Sequence, residues 1–155
     1  MASNQHDEDA RIRVLEDRVE VAQIQINGGR LVDEGNWDAL RDLYAADATY
    51  SSSYNKAAGD RPIGDVLQNS AKLAAQYALN MRYIGNQTVD VAGDLATVRA
   101  YVISYHWKGD PPGSDHPENL VTGDIYEDSF ERRDGRWLVT HRQLDRLWYS
   151  GPLPS

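Results

Sequence analysis

The stretch RYIGNQTVDVAGDLATVRAYVISYHW, residues 82–107, decides the fold. Its apolar and polar side chains alternate with period two on either side of Ala92-Gly93-Asp94, which reads as two strands, Arg82–Val91 and Ala96–Trp107, joined by a tight turn. The pattern recurs downstream, where Leu120–Glu131 and Arg136–Trp148 flank the turn Arg133-Asp134-Gly135. Between the hairpins, Lys108–Glu118 carries three prolines and is expected to overhang the mouth of a pocket.

Upstream the period changes. No proline interrupts residues 9–34, and Ile12, Leu15, Val19, Ala22 and Ile26 recur at alternating three- and four-residue steps, predicting an amphipathic first helix. Asn36 is suited to cap a second helix from Trp37, with Leu40, Leu43 and Tyr44 on one face, so that the pair packs as a helical hairpin. Asp47-Ala48-Thr49-Tyr50 leads into a short strand and Asn55–Arg61 is a polar loop. Pro62 suits the first turn of a third helix, in which Val66, Leu67, Leu73, Ala74 and Tyr77 can face a core. Helices first and strands afterwards predict an α+β domain, with N-terminal helices on a twisted antiparallel sheet around a pocket. One domain over residues 9–150 is expected, with a loose start at residues 1–8 and a loose tail from Gly151 to Ser155.

Composition narrows the function. The chain has 155 residues and no cysteine, which removes disulfides, thiolate metal sites and cysteine nucleophiles. A net charge of −8 argues against nucleic acid and against anionic membranes as partners. No apolar run approaches the roughly 20 residues that span a bilayer, and the polar, acidic start gives no targeting signal, so a cytoplasmic protein is expected. The four histidines have no HxH or HExxH spacing, and no phosphate loop, dinucleotide fingerprint or serine elbow is present, so neither metal nor cofactor is expected.

Several residues remain that could carry chemistry. The stripe of the first helix, continued past Gly29, lands on Asp33, placing an acid where the pattern asks for a core residue. Burial there would raise its pKa toward that of a general base unless a cation or hydrogen-bond donors offset the desolvation. The alternative is a helix-end aspartate turned to solvent. Gly28-Gly29 costs about 1 kcal/mol per glycine relative to alanine within a helix, which either close helix–sheet packing or space for a ligand must offset. His106 is the best remaining proton carrier, although either face of its strand could line the pocket. Asp124 is a second candidate acid and shares a face with Tyr126. Tyr50 could hydrogen-bond a carbonyl or leaving group, or simply pack.

The segment Leu31-Val32-Asp33-Glu34-Gly35-Asn36-Trp37-Asp38-Ala39-Leu40, with Tyr44-Ala45-Ala46-Asp47-Ala48-Thr49-Tyr50, resembles the SnoaL-like branch of the nuclear transport factor two-like superfamily. Gly85-Asn86 resembles the start of that family's third strand, and Tyr126, Asp128, Arg133-Asp134-Gly135, Trp137 and His141-Arg142 resemble its last hairpin. The resemblance implies a curved cone of helices and sheet around a pocket. Its members include the hexachlorocyclohexane dehydrochlorinase, bile-acid dehydratases and polyketide cyclases.

In the dehydrochlorinase and dehydratase pattern, an aspartate matching Asp33 orients a histidine base four residues before the position of Asn86. Here that position is Arg82, and a dehydratase tyrosine five residues before the aspartate is replaced by Gly28. Arg82 stays protonated, so it can bind a carboxylate or stabilise an enolate but cannot be the base. A pocket arginine of the dehydrochlorinase corresponds to Arg142, which leaves His141 on the opposite face with Trp137 and Val139.

The resemblance implies a cofactor-independent lyase, isomerase or cyclase moving a proton on a small, secondary-metabolite-like substrate. Asp33 would be or position the base, and Arg82 and Arg142 would hold an oxyanion. It also implies a homodimer or small homo-oligomer. The competing expectations are a non-catalytic binding or assembly module, favoured by the missing histidine, and the small subunit of a ring-hydroxylating dioxygenase.

Overall fold

The computed structural model describes residues 2–111 and 114–153, with side chains from residue 5. Pro112 of the proline-rich loop and Pro154 and Ser155 of the tail lie outside them. Helix α1 (Ala2–Asp33) is followed by the single-turn α2 (Trp37–Arg41), β1 (Tyr44–Ser52), a 3-10 turn (Ser53–Ala58), β2 (Arg61–Pro62) and α3 (Ile63–Ala74). Then come the long strands β3 (Leu79–Ala92), β4 (Leu95–Trp107), β5 (Leu120–Arg133) and β6 (Arg136–Ser150). The six strands form one curved, unclosed sheet in the order β2-β1-β6-β5-β4-β3. The expected α+β architecture is therefore present, with one departure from an antiparallel ladder: β1 runs parallel to β6.

Both expected turns form where glycine or a short polar residue relieves a positive φ, at Gly93 (63°) and at Asp134-Gly135 (51° and 77°). Asn36 caps α2, its side-chain oxygen accepting from the Ala39 amide at 3.2 Å. The second helix is nevertheless one turn long, and Tyr44 belongs to β1 rather than to a helical face. The helical hairpin expected from the sequence is reduced to this turn.

Helix α1 starts at Ala2, not near residue 9, so the expected loose N-terminus is helical from that residue. Its predicted buried stripe is also out of phase. Ile12, Leu15, Val19 and Ile26 are exposed, while Val21, Gln25, Gly28, Gly29 and Leu31 are buried. The buried line contains polar residues, which hide it from a hydropathy reading. Asp17 pairs with Arg132 at 2.5 Å and accepts from Trp137 Nε1 at 3.1 Å, and the Gln25 amide donates to the Val98 carbonyl at 3.1 Å.

The even-numbered residues of β4 from Ala96 to Ser104 are buried on the inner face of the sheet, which settles the face of His106: it points inward. On β6 the alternation breaks. Ser129 and Phe130 of β5 pair with His141 and Val139, so Thr140 is an extra residue. The bulge puts Trp137 and Val139 on the same buried side as Arg142, not with His141 as strict alternation predicts. His141 instead meets Thr49 Oγ1 at 2.7 Å and Ser51 Oγ at 3.1 Å.

The two helical glycines have different environments. A Cβ on Gly29 would lie 2.6 Å from Ile84 Cδ1 of β3, whereas one on Gly28 would meet Leu40 and Leu43 at an ordinary 3.7 Å. Neither glycine lines the cavity, so close helix–sheet packing accounts for Gly29. Gly28→Ala is expected to be neutral or to stabilise by up to about 1 kcal/mol through helix propensity. Gly29→Val is expected to lose about 1–3 kcal/mol by overpacking against Ile84, measured for both by urea unfolding.

Candidate functional site

Between the inner face of the sheet and helices α2 and α3 lies a cavity of about 410 Å³. Its apolar wall comes from Trp37 and Leu40 of α2 and from Ile63, Val66 and Leu67 of α3. The residues of α3 predicted to face a core thus face this space, and so does Tyr77 beyond the helix. No described residue of the loop 108–118 lines the cavity. That loop is gathered on itself, with Asn119 Oδ1 accepting from the Lys108 amide at 2.9 Å and Lys108 pairing with Glu118 at 2.9 Å. Leu153, from the segment expected to be loose, joins the lining instead.

The cavity brings together six of the seven residues singled out by sequence: Tyr50, Arg82, His106, Asp124, Tyr126 and Arg142. It does not include Asp33. Asp33 Oδ1 accepts from Arg82 Nη1 at 2.5 Å and its Oδ2 from the Arg82 amide at 2.7 Å, so both oxygens are engaged. The position that would make Asp33 a base makes it the anchor of Arg82.

Arg142 is not part of that pair. Its Nε and Nη2 donate to the two oxygens of Asp128, at 2.6 and 2.7 Å, and Asp128 is fully buried. Burial alone would disfavour the guanidinium charge, but the Asp128 carboxylate outweighs it and holds the Arg142 pKa well above its ordinary value. The guanidinium sits 4.5 Å from the Tyr126 ring centroid. Tyr126 is buried, and Tyr50 Oη lies 3.1 Å from Tyr54 Oη, with burial raising the Tyr50 pKa. Asp124, also buried, accepts from Thr122 Oγ1 at 2.7 Å and from Arg146 Nε at 2.8 Å. The candidate acid Asp124 is thereby held in an ion pair in the cavity wall.

His106 has the most informative environment. Asn80, opposite it on β3, donates from Nδ2 to the Ala74 carbonyl at 3.0 Å, which turns Asn80 Oδ1 toward the imidazole. His106 Nδ1 lies 2.7 Å from that oxygen and must therefore be the protonated nitrogen, leaving a lone pair on Nε2. Nε2 has no hydrogen-bond partner among the described residues. Burial, and then the charges of Arg82 and Arg146, push the His106 pKa down to about 4.

Asn80, Arg61 and Arg146 were not legible as site residues. Arg146 lies just before the second β6 irregularity, on the same face as Arg142 and Leu144, and Arg61 reaches the cavity from the two-residue β2. Among the described residues no cluster of three or more metal-ligating side chains occurs, and no helix is long and apolar enough to cross a membrane.

The depressed His106 pKa sets a pH dependence of stability. The folded state keeps the ring neutral while the unfolded chain protonates near 6.5, so the stabilisation is complete above that pH and is lost as pH falls toward 4. Urea midpoints of the wild type should decline through this window, and the decline should be shallower in His106→Gln. Equal slopes would contradict the assignment.

Known proteins can be set beside this geometry. A protein from Novosphingobium aromaticivorans provisionally named a scytalone dehydratase superposes with a TM-score of 0.76 at 16% identity, over 94% of this chain and 93% of that one. The hexachlorocyclohexane dehydrochlorinase LinA-type3 from Novosphingobium barchaimii is similar at TM-score 0.73 and 15% identity, over 94% and 99% of the two chains. A nuclear transport factor two-like protein with a cystatin-like fold from N. aromaticivorans gives 0.69 at 25% identity, over 92% and 89%. No functionally curated protein matches the sequence. The model of the SnoaL-like domain matches residues 13–143, and the chain belongs to the SnoaL-like domain family.

Proposed function

We propose that this protein is a cofactor-independent enzyme that moves a proton on a small organic molecule, in an elimination, isomerisation or cyclisation, with His106 as the base. One observation carries the reading: a neutral imidazole stands in the wall of the cavity, its Nδ1–H committed to Asn80 and its Nε2 without a partner among the described residues. That is the state a general base needs before it meets substrate. Arg82 and Arg142, each held by its own carboxylate, supply fixed positive charge for an oxyanion developing as the proton leaves. The dehydratase and dehydrochlorinase names among the structural relatives agree with such chemistry. A secondary metabolite as substrate and the cytoplasm as compartment belong to the same proposal.

The closed Asp33–Arg82 pair favours a second reading, a binding module without turnover. Solvent-deuterium exchange separates the two. Wild-type protein in the presence of a chelator should catalyse exchange at the α-carbon of members of a panel of cyclic and aryl ketones. His106→Asn should lower the rate by about 10²- to 10⁴-fold. The rate should be level from pH 5 to 8, falling as His106 protonates around pH 4. Binding of panel members without exchange would favour the module.

The expected oligomer belongs to this proposal too. The exposed residues Ile12, Leu15, Val19 and Ile26, with the part-buried Ala22 between the last two, have the 3-4 spacing of a two-stranded seam, with β-branched residues at one position and Leu15 and Ala22 at the other. Exposed Arg11 and Glu16 flank it with opposite charges. We infer a homodimer along α1. Light scattering should give twice the 17.4 kDa chain mass, and Leu15→Glu with Val19→Glu should return it to one. A monomeric wild type would refute this.

A further inference from the structure

Four arginines line the cavity: Arg61, Arg82, Arg142 and Arg146. Three are paired with a carboxylate, Arg82 with Asp33, Arg142 with Asp128 and Arg146 with Asp124. Arg61 has no salt bridge and no side-chain hydrogen bond among the described residues. Its guanidinium is held over the Tyr50 ring, 5.2 Å from the centroid, by the pairing of Arg61 with Tyr50 across β2 and β1. The remaining acid of the lining, Asp124, is already matched, and His106 is neutral. The cavity of an acidic protein thus carries one uncompensated positive charge.

We propose that Arg61 is the anchor for a carboxylate on the substrate, so that the enzyme acts on monoanionic aryl or alicyclic acids. A guanidinium stacked on an aromatic face loses little freedom on binding and presents its N–H fork for bidentate pairing with a carboxylate. Phenols of Tyr50 and Tyr54 and the side chain of Asn55 stand in the same wall. The apolar residues of α2 and α3 cover the rest of the molecule. A bound anion also changes the base, because negative charge in the cavity counters the cationic surroundings that oppose protonation of His106. The anchor thus selects the substrate and strengthens the group that deprotonates it.

This inference rests on the cavity being the substrate site, but it is tested independently of catalysis. The probes are 2-naphthoate and 2-naphthamide, which match in shape and differ in charge, with affinities measured by titration calorimetry on the full chain. The carboxylate should bind at least about tenfold more tightly than the amide, as expected for a charge-assisted pair. Arg61→Gln should bring 2-naphthoate down to the amide level and leave 2-naphthamide unchanged, which also serves as the control for folding. Arg61→Lys should recover part of the preference.

His106→Asn should leave the preference intact even though turnover is lost. Equal affinity for the two probes, no binding of either at millimolar concentration, or an undiminished preference in Arg61→Gln would overturn the anchor. Loss of the preference with exchange activity retained would be the signature of an anchor failure alone. A preference retained with exchange unaffected by His106→Asn would leave the anchor standing and remove the base.

Discussion

The bidentate pair between Arg142 and Asp128 is the interaction on which the interior depends. Asp128 comes from β5 and Arg142 from β6, and the Gln25 amide of α1 donates both to Asp128 Oδ2 at 3.0 Å and to the Val98 carbonyl of β4. Gln87 of β3 then donates to Gln25 Oε1 at 3.0 Å. A single buried charge pair therefore ties one helix to four strands. The donors of this network, from Gln25, Gln87 and Arg142, each have an acceptor, so a slip of α1 along the sheet would strand a charge or an amide in the core. The same pair holds the Arg142 guanidinium against the cavity, so the feature that fixes the helix also fixes part of the site.

Where the sequence could be read, local chemistry was sufficient. Gly93, Asp134 and Gly135 mark turns, Asn36 marks a cap, and the period-two runs mark four strands whose limits agree with the structure to within a few residues. What escaped reading depended on polar contacts between distant segments. The inward line of α1 includes the half-buried Asp17 and the buried Gln25, acceptable only because Arg132, Trp137 and Asp128 come to them from the far end of the chain. The more hydrophobic line through Ile12, Leu15 and Val19 wins any hydropathy comparison and is the wrong one for the monomer's core. Parity failed at Thr140 for the same kind of reason, since nothing local announces an extra residue in the ladder.

The site followed this division. The residues that line the cavity could be listed from strand faces and family resemblance, but their partners could not. Arg82 stands where the family resemblance implies a histidine, and its pairing with Asp33 uses both carboxylate oxygens. The neutral imidazole is found across the ladder, two rungs along, where Asn80 faces His106 and Arg82 faces Ser104. Adjacent antiparallel strands present the same face at paired positions, so a proton carrier can move from one to the other without leaving the cavity.

The parallel pairing of β1 with β6 has a consequence for how the molecule comes off the ribosome. Tyr44–Ser52 finds its long partner only in Arg136–Ser150, because its other neighbour is the two-residue β2. At about 5–20 residues per second of synthesis, on the order of 5–20 seconds pass between completion of β1 and completion of the last strand. Throughout that delay the nascent chain holds Tyr44, Tyr50 and the inner face of α3 without the strand that completes their enclosure. Final strand insertion is therefore the step that creates the chamber, and the emerging polypeptide has neither its central charge pair nor its binding space until Arg136–Ser150 has been made.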